Sequence, residues 1–586
     1  MRSNSTSGSP SGGGTNPLNV APAASACSGP TGRREGSLAY AAAMAANATY
    51  DWLLLGDAVD RAARKWGNRP AVIFGDRHWT YADFAVEVDR VAKGLMALGA
   101  QIGDHVAVWM TNLPEWLWLQ YAIPKVGGCI VPLNTRYRTD DVAYTVAQSE
   151  SRFMISIDQS GPIDYRQMLC EAYPEITAAG HLERLVFTGA DRDDALADAM
   201  SWDDLLTAGE SVSDEELAER AASVTVDDRM MLAYTSGTTG HPKGVVHTHR
   251  PLRNSRERSM LLGHTANDIH MSYLPLFHLF GYGEVSIQAV LTGGCQVLFD
   301  VFDPAAVLAE VESRGGTVLH GFDSHWGDLL RAQDEHPRDV SSLRMGTLAA
   351  GMESSTPIAR RAQEVFCPTI SGWGMSESWA FVSCSHPTHT VEQRTEASGY
   401  PMDGIEYQIR DLETGEECAP DVPGALFVRG YTVMEEYWRR PEATAEVLGD
   451  DGWLDTGDIA RMRPDGHAVF IGRHKDMLKV GGENVSPAEV EGYLLEVDGV
   501  EQIAVVGYPD PRLVEVPVAF VQLTATAPSD ITEESLIERC RGRIASFKIP
   551  RHVIFVKEMP ATPSGKIRKV ELRDWALQDL GDPSHA

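Results

Sequence analysis

Tyr234-Thr235-Ser236-Gly237-Thr238-Thr239-Gly240-His241-Pro242-Lys243-Gly244 concentrates hydroxyls and glycines directly after the apolar residues 230–233. A strand that runs into such a loop can wrap phosphates. Glycines let the backbone approach closely and turn its N–H groups inward, Ser and Thr hydroxyls add donors, and Lys243 adds a charge. The spacing is not that of a P-loop, because Pro242 stands where Gly-Lys-Ser/Thr would need its glycine. Neither Ser236 nor Ser376 lies in G-x-S-x-G, which removes a hydrolase nucleophile elbow. Taken alone, a Gly/Ser run of this kind is more often a flexible surface loop.

Outward from this loop the pattern is mixed α/β. Ala58, Val59, Ala62, Ala63 and Trp66 recur at helical spacing, and residues 71–74 read as a short strand. A strand follows at 105–110, then a helix through Trp116 and Tyr121, then an apolar strand at 129–133. Such alternation predicts parallel sheets sandwiched by helices. A second unit begins near Arg473, where a Lys/Gly-rich turn precedes a helix at 487–495, strands at 502–506 and 518–523, and a helix at 533–544. This reads as a compact α+β domain. Residues 1–36 carry almost no large apolar side chain to offset the entropy of ordering, and are expected to be a disordered tail. Arg33 and Arg34 before the Ala-rich stretch 37–48 are only faintly like a twin-arginine signal, given Asn47 and the lack of bulk.

The chain has 586 residues, 43% hydrophobic and 23% charged, enough for a large core. Lys and Arg number 51 against 82 Asp and Glu, a formal net charge of −31 that repels nucleic acid and anionic membrane surfaces. An anionic cofactor therefore needs local backbone N–H groups, Mg²⁺ and placed cations. The 8 cysteines include no C-x-x-C pair, which fits a reducing cytoplasm better than a zinc site or a disulfide framework. The most apolar stretch is broken by Asn112, Glu115 and Lys125, so no membrane span is expected.

Further blocks follow the phosphate loop in order: Pro275-Leu276-Phe277-His278, Gly372-Trp373-Gly374-Met375-Ser376-Glu377, Trp453-Leu454-Asp455-Thr456-Gly457-Asp458, Gly472-Arg473-His474-Lys475-Asp476 and Pro563-Ser564-Gly565-Lys566. Each has a physical reading. Glu377 offers the oxygen ligand a hard Mg²⁺ prefers. Trp373 offers a flat face for adenine, against ordinary core packing. Asp458 can accept two hydrogen bonds from ribose hydroxyls, and Arg473 carries a donor fork suited to ribose or phosphate oxygens.

From residue 51 to 572 the chain resembles the adenylate-forming superfamily of acyl-CoA synthetases, nonribosomal peptide adenylation domains and luciferases, and is most similar to the acyl-CoA synthetases. The resemblance implies a large N-terminal domain, 37–472, of layered α/β subdomains with a small β-barrel. A small mobile α+β lid, 473–586, would turn about a hinge at Lys475. It implies ATP, Mg²⁺ and CoA, with Thr235, Ser236, Gly237, Thr238, Thr239, Gly240, Lys243, Gly351, Trp373, Gly374, Ser376, Asp458 and Arg473 around the nucleotide. Glu377 is then the magnesium residue, Lys566 the catalytic lysine and His278 the gate of the acyl pocket. Gly482, next to Gly481, would let the pantetheine arm pass. An ammonium at Lys566 that contacts both anions lowers the barrier when a carboxylate attacks the α-phosphorus.

The acyl pocket departs from the family's pattern. Gly321-Phe322-Asp323-Ser324-His325 replaces Val-Pro-Thr, and Glu284 falls near the same pocket, beside Gly372. Unpaired buried carboxylates are costly, so a polar, amine-bearing or aromatic acid is expected rather than a plain fatty one. Arg250, Arg253, Arg256 and Arg258 form a basic cluster that reads as a solvated helix face, or else as a contact for the CoA phosphates. The function expected is an ATP-dependent carboxylic acid–CoA ligase. An adenylate-forming enzyme with another acceptor, such as a carrier-protein thiol, an amine or nitrite, would share every nucleotide block, and a non-catalytic relative would lack the Glu377, Lys475 or Lys566 positions.

Overall fold

The structure is a computed structural model that describes residues 52–189, 196, 198–235, 242–349, 355–480, 483–510, 513–541, 544, 546–561 and 567–581. The tail expected at 1–36 lies outside the described residues.

Two seven-stranded sheets follow from the alternating pattern. In the first, Thr369–Ile370, Met345–Leu348, Val318–Gly321, Ile269–Ser272, Cys295–Leu298 and Pro70–Phe74 run parallel, with Arg77–Thr80 antiparallel at the edge. In the second, Arg229–Thr235, Cys129–Pro132, His105–Trp109, Phe153–Ser156, Arg184–Phe187 and Met200–Ser201 are parallel, and Lys243–Thr248 pairs antiparallel with Arg229–Thr235. In the second sheet the strand Cys129–Pro132 is buried along its whole length and reads as an apolar run, as strands covered on both faces do. The opening helix, Leu55–Trp66, buries Ala58, Val59 and Ala62 as its spacing predicts. Loops that end parallel strands gather at one edge, where ligands bind in such sheets.

The smaller all-β unit is an antiparallel sheet in the order Ile405–Arg410, Gly424–Gly430, Leu454–Met462, Ala468–Arg473. Beyond it, Leu478–Val480, Glu483–Val485, Val500–Asp510, Val514–Leu523 and His552–Val556 form a separate five-stranded sheet. The helix Pro487–Leu495 packs on it as expected, its Glu491 carboxylate accepting from the Val505 N–H at 2.7 Å. Two strands are longer than the sequence reading, since polar residues such as Glu501 and Glu515 continue the pairing on a ladder that needs only backbone groups. The last predicted helix is shorter. It spans Glu533–Cys540 and stops where Arg541 turns extended, at φ −64° and ψ 128°.

Candidate active site

The turn after the strand Thr369–Ile370 organises the site. A Cβ on Gly374 would lie 1.4 Å from the Ala380 carbonyl oxygen, so only glycine lets the two backbone segments meet. Ser376–Ser378 is a short 3₁₀ turn, and the next residue, buried Trp379, sits at φ 75°, a left-handed conformation that bulky residues avoid. Surrounding contacts hold it: the Trp379 indole donates to Ser255 Oγ at 3.2 Å, and its ring packs edge-on to His247 at 5.3 Å. His247 in turn donates from Nε2 to the Ser376 carbonyl at 2.6 Å, and burial pushes its pKa down to about 4, so the ring stays neutral.

This turn presents Glu377, which is 8% exposed. Its Oε1 accepts from the Tyr437 hydroxyl at 2.7 Å, and the Tyr437 backbone neighbour Glu436 pairs with Val246 on the strand that starts at Lys243. The Lys243 ammonium lies 4.7 Å from the centre of the Tyr437 ring. Burial first, then the Glu377 charge, raises the Tyr437 phenol well above its ordinary pKa, so it remains a donor. One tyrosine thus joins Lys243 to the Glu377 carboxylate. The sequence reading did not single out Tyr437, which lies in none of the blocks.

On the other side of the turn, the Trp373 indole donates to Asp458 Oδ2 at 2.9 Å, and Arg473 Nε lies 2.9 Å from Oδ1. Asp458 is 2% exposed. Trp373 is buried and packs edge-on to Tyr407 at 5.7 Å. A carboxylate has about four lone-pair sites, so these two contacts leave acceptor capacity for ribose hydroxyls. Three residues read from three separate blocks therefore meet at one carboxylate. Thr235 ends its strand and Lys243 begins the next, in register as antiparallel partners. Ser236, Gly237, Thr238, Thr239, Gly240, Gly351, Gly482 and Lys566 lie outside the described residues, as does the side chain of Lys475; the backbone of Lys475 forms the 3₁₀ turn His474–Asp476.

The acyl side differs from the expectation. Glu284 does not stand unpaired: it is fully buried in the π-helix Phe280–Ile287 and forms a two-pronged ion pair with Arg258. Gln288 Nε2 also donates to its Oε2 at 2.6 Å. Burial raises the Glu284 pKa, and Arg258, the Phe381 backbone and Gln288 oppose that rise. Arg258 correspondingly is not on a solvated face; it is fully buried and donates to the Phe381 carbonyl. The other arginines are also engaged, Arg250 with Asp227 and Arg253 with Glu257 and Asp403. Asp323 opens the helix Asp323–Glu335, where its Oδ1 accepts from the Ser324 N–H at 2.9 Å and a negative charge suits the helix N-terminus.

What remains is an aromatic wall. Phe280 packs edge-on to Phe322 at 4.9 Å and to Phe381 at 5.1 Å, and Phe381 lies against Gly372, where a Cβ would come within 2.9 Å of its ring. His278 meets Phe322 at 5.9 Å and accepts the Phe280 N–H on Nδ1 at 3.2 Å. His325 lies edge-on to Phe302 and tilted against Tyr273 and Phe322, and burial lowers its pKa to about 4.

The AMP-binding enzyme family matches residues 59–438, and the AMP-binding enzyme C-terminal domain matches 489–566. The feruloyl-CoA synthase of an Amycolatopsis species is 34% identical over 521 residues, 88% of this chain and 97% of that protein. The mitochondrial medium-chain acyl-CoA ligase ACSF2 of Rattus norvegicus is 31% identical over 542 residues, 90% of this chain and 88% of its own. Among solved structures, the anthranilate CoA ligase AuaEII in complex with anthranoyl-AMP superposes with a TM-score of 0.80 at 27% identity, covering 90% of this chain and 98% of that one. The chain belongs to the AMP-binding enzyme family and, within it, to the adenylate-forming acyl-CoA synthetases, which use ATP and CoA.

Proposed function

We propose that this enzyme joins an aromatic carboxylic acid to CoA. The acid's carboxylate oxygen attacks the α-phosphorus of ATP and pyrophosphate leaves; the CoA thiol then attacks the acyl carbon of the adenylate and AMP leaves. The observation that carries the choice of acid is the wall of Phe280, Phe322 and Phe381 backed by an already neutralised Arg258–Glu284 pair. A ring can meet those faces edge-on, at separations that favour aromatic pairs. An amine gains nothing from Glu284, whose charge Arg258 already balances.

In this reading Asp458 and Arg473 take the ribose, Trp373 borders the adenine, and Thr235, Lys243 and the loop between them take the phosphates. Glu377 fits a magnesium ion. Among the described residues no three His, Cys, Asp or Glu converge as a metal cage, and a single carboxylate completed by phosphate oxygens and water is how Mg²⁺ is usually held. The ion would neutralise charge on the phosphates. Lys566 supplies an ammonium at the α-phosphoryl oxygens, and His278 covers the acyl pocket until CoA arrives.

We assign 37–472 to the adenylation domain and 473–586 to a lid that turns at Lys475. Its turn, His474–Asp476, lies between two sheets and is tethered by Arg573 to Asp476 at 2.8 Å. We place the reaction in the cytoplasm. The seven cysteines among the described residues are free thiols, as a reducing compartment keeps them. No described helix is long and apolar enough to cross a membrane.

The test is pyrophosphate release across aliphatic, aryl and amino-aryl acids. Aryl acids are expected to react best, with no advantage for the amino-aryl set. Equal turnover of long-chain fatty acids would overturn the aromatic assignment.

A further inference from the structure

Behind the aromatic wall, one face of the first sheet carries polar side chains where an apolar core is the rule. The register places them in two rows. His270 pairs with Gln296 on one side and with Val318 on the other. Two residues further along the same strands, Ser272 and His320 share that face, and His320 pairs with Thr347. His264 closes the group, 5.0 Å from the His270 ring and 6.2 Å from that of His320.

All six are at least nine-tenths buried. Yet both ring nitrogens of His270 and His320, Nε2 of His264, both amide atoms of Gln296, Ser272 Oγ and Thr347 Oγ1 have no hydrogen-bond partner among the described residues. Buried polar groups are otherwise almost always paired, and such a concentration calls for a ligand or ordered water. The charges around the rows cancel in pairs, Arg258 with Glu284 at one end and Arg344 with Asp268 at the other. Burial keeps His270 and His320 neutral. The lining is therefore uncharged and offers both donors and acceptors.

The rows point along the strands toward the acyl side. Phe280 connects the two, its ring 6.4 Å from that of His320 and 4.9 Å from that of Phe322. Phe280 opens a π-helix, a rare form of helix that is frequent at functional sites. We propose that the polar rows around His320 are a distal subsite of the acyl pocket, filled by water in the free enzyme. It takes the neutral hydrogen-bonding end, a ketone or hydroxyl, of the acid being activated. This rests on the acid–CoA ligase reading above and narrows its substrate class.

The experiment walks a ketone or a hydroxyl outward along a series of aryl-alkyl acids and compares each with its methyl- or methylene-bearing isostere, reading pyrophosphate release as kcat/KM. At one chain length the ketone or hydroxyl acid should win by about tenfold, the scale of one well-made hydrogen bond. In His320→Phe the preference should invert at that length. Thr347→Val and Ser272→Ala, which change shape little, should reduce it several-fold. If the acids react but the polar members have no advantage at any length, the subsite is refuted while the ligase reading stands. If no acid releases pyrophosphate, the ligase reading itself fails. A crystal structure of the free enzyme showing no water between His270 and His320 would also overturn the proposal.

Discussion

The proposed nucleotide side and the proposed acyl side of this enzyme are built by opposite means. On the nucleotide side, side chains from separate blocks converge while keeping acceptor capacity: Asp458 holds Trp373 and Arg473, and Glu377 is held by Tyr437 through one oxygen. On the acyl side the charged groups spend themselves on each other, as Arg258 and Glu284 do in the core. The first arrangement suits a polyanion that must be recognised by charge. The second leaves an electrically balanced surround, which in the proposed reading makes specificity rest on rings and on neutral hydrogen bonds.

Breaking the acyl side should have the larger effect. Glu284→Ala strands a buried guanidinium, and removing one member of a buried pair costs about 3–5 kcal/mol. The chemical-denaturation midpoint should fall accordingly. The double variant Arg258→Met, Glu284→Leu should recover most of the loss, because no charge is left unpaired. If the single and double variants were equally unstable, the pair would not be the source of the effect.

On the nucleotide side, Tyr437→Phe deletes one hydrogen bond to a charged group, worth about 1.5–3 kcal/mol. The Mg²⁺ concentration needed for half-maximal ATP binding should rise about tenfold, and the melting temperature should fall by no more than a few degrees. An unchanged Mg²⁺ requirement would reduce Tyr437 to a packing residue.

A smaller effect distinguishes the regions by pH. Burial holds His247, His249 and His270 near 4, below the ordinary 6.5. Between those values the unfolded chain binds more protons than the folded one, so stability drops as pH falls from 6.5 toward 4. Melting temperature should be nearly level from about pH 8 to pH 7 and decline below 6.5, and His270→Phe should make that decline shallower. A profile unchanged by that substitution would show that His270 titrates normally.

The two sides also differed in how far the sequence revealed them. Trp373, Glu377, Asp458 and Arg473 lie in short contiguous blocks whose chemistry can be read in place, as can the alternation behind both parallel sheets. Tyr437 and Glu377 are 60 positions apart, and Arg258 and Glu284 are 26 apart on different helices. Such pairings depend on tertiary packing, which periodicity does not encode. Arg258 therefore looked like one more member of an exposed basic run, and Glu284 like an open carboxylate. The histidine rows were hidden for the same reason, since only strand register brings His270, Gln296, His320 and Thr347 onto one face.

The most direct test of the account is to separate the two half-reactions with an aryl acid as substrate. ATP–pyrophosphate exchange should proceed without CoA, and AMP release should then depend on added CoA. Lys566→Ala should cut the exchange by about 10²–10³-fold while leaving transfer from preformed acyl-AMP far less affected. AMP released at full rate without CoA, or both half-reactions falling equally in Lys566→Ala, would contradict a ligase that works through an adenylate and a turning lid.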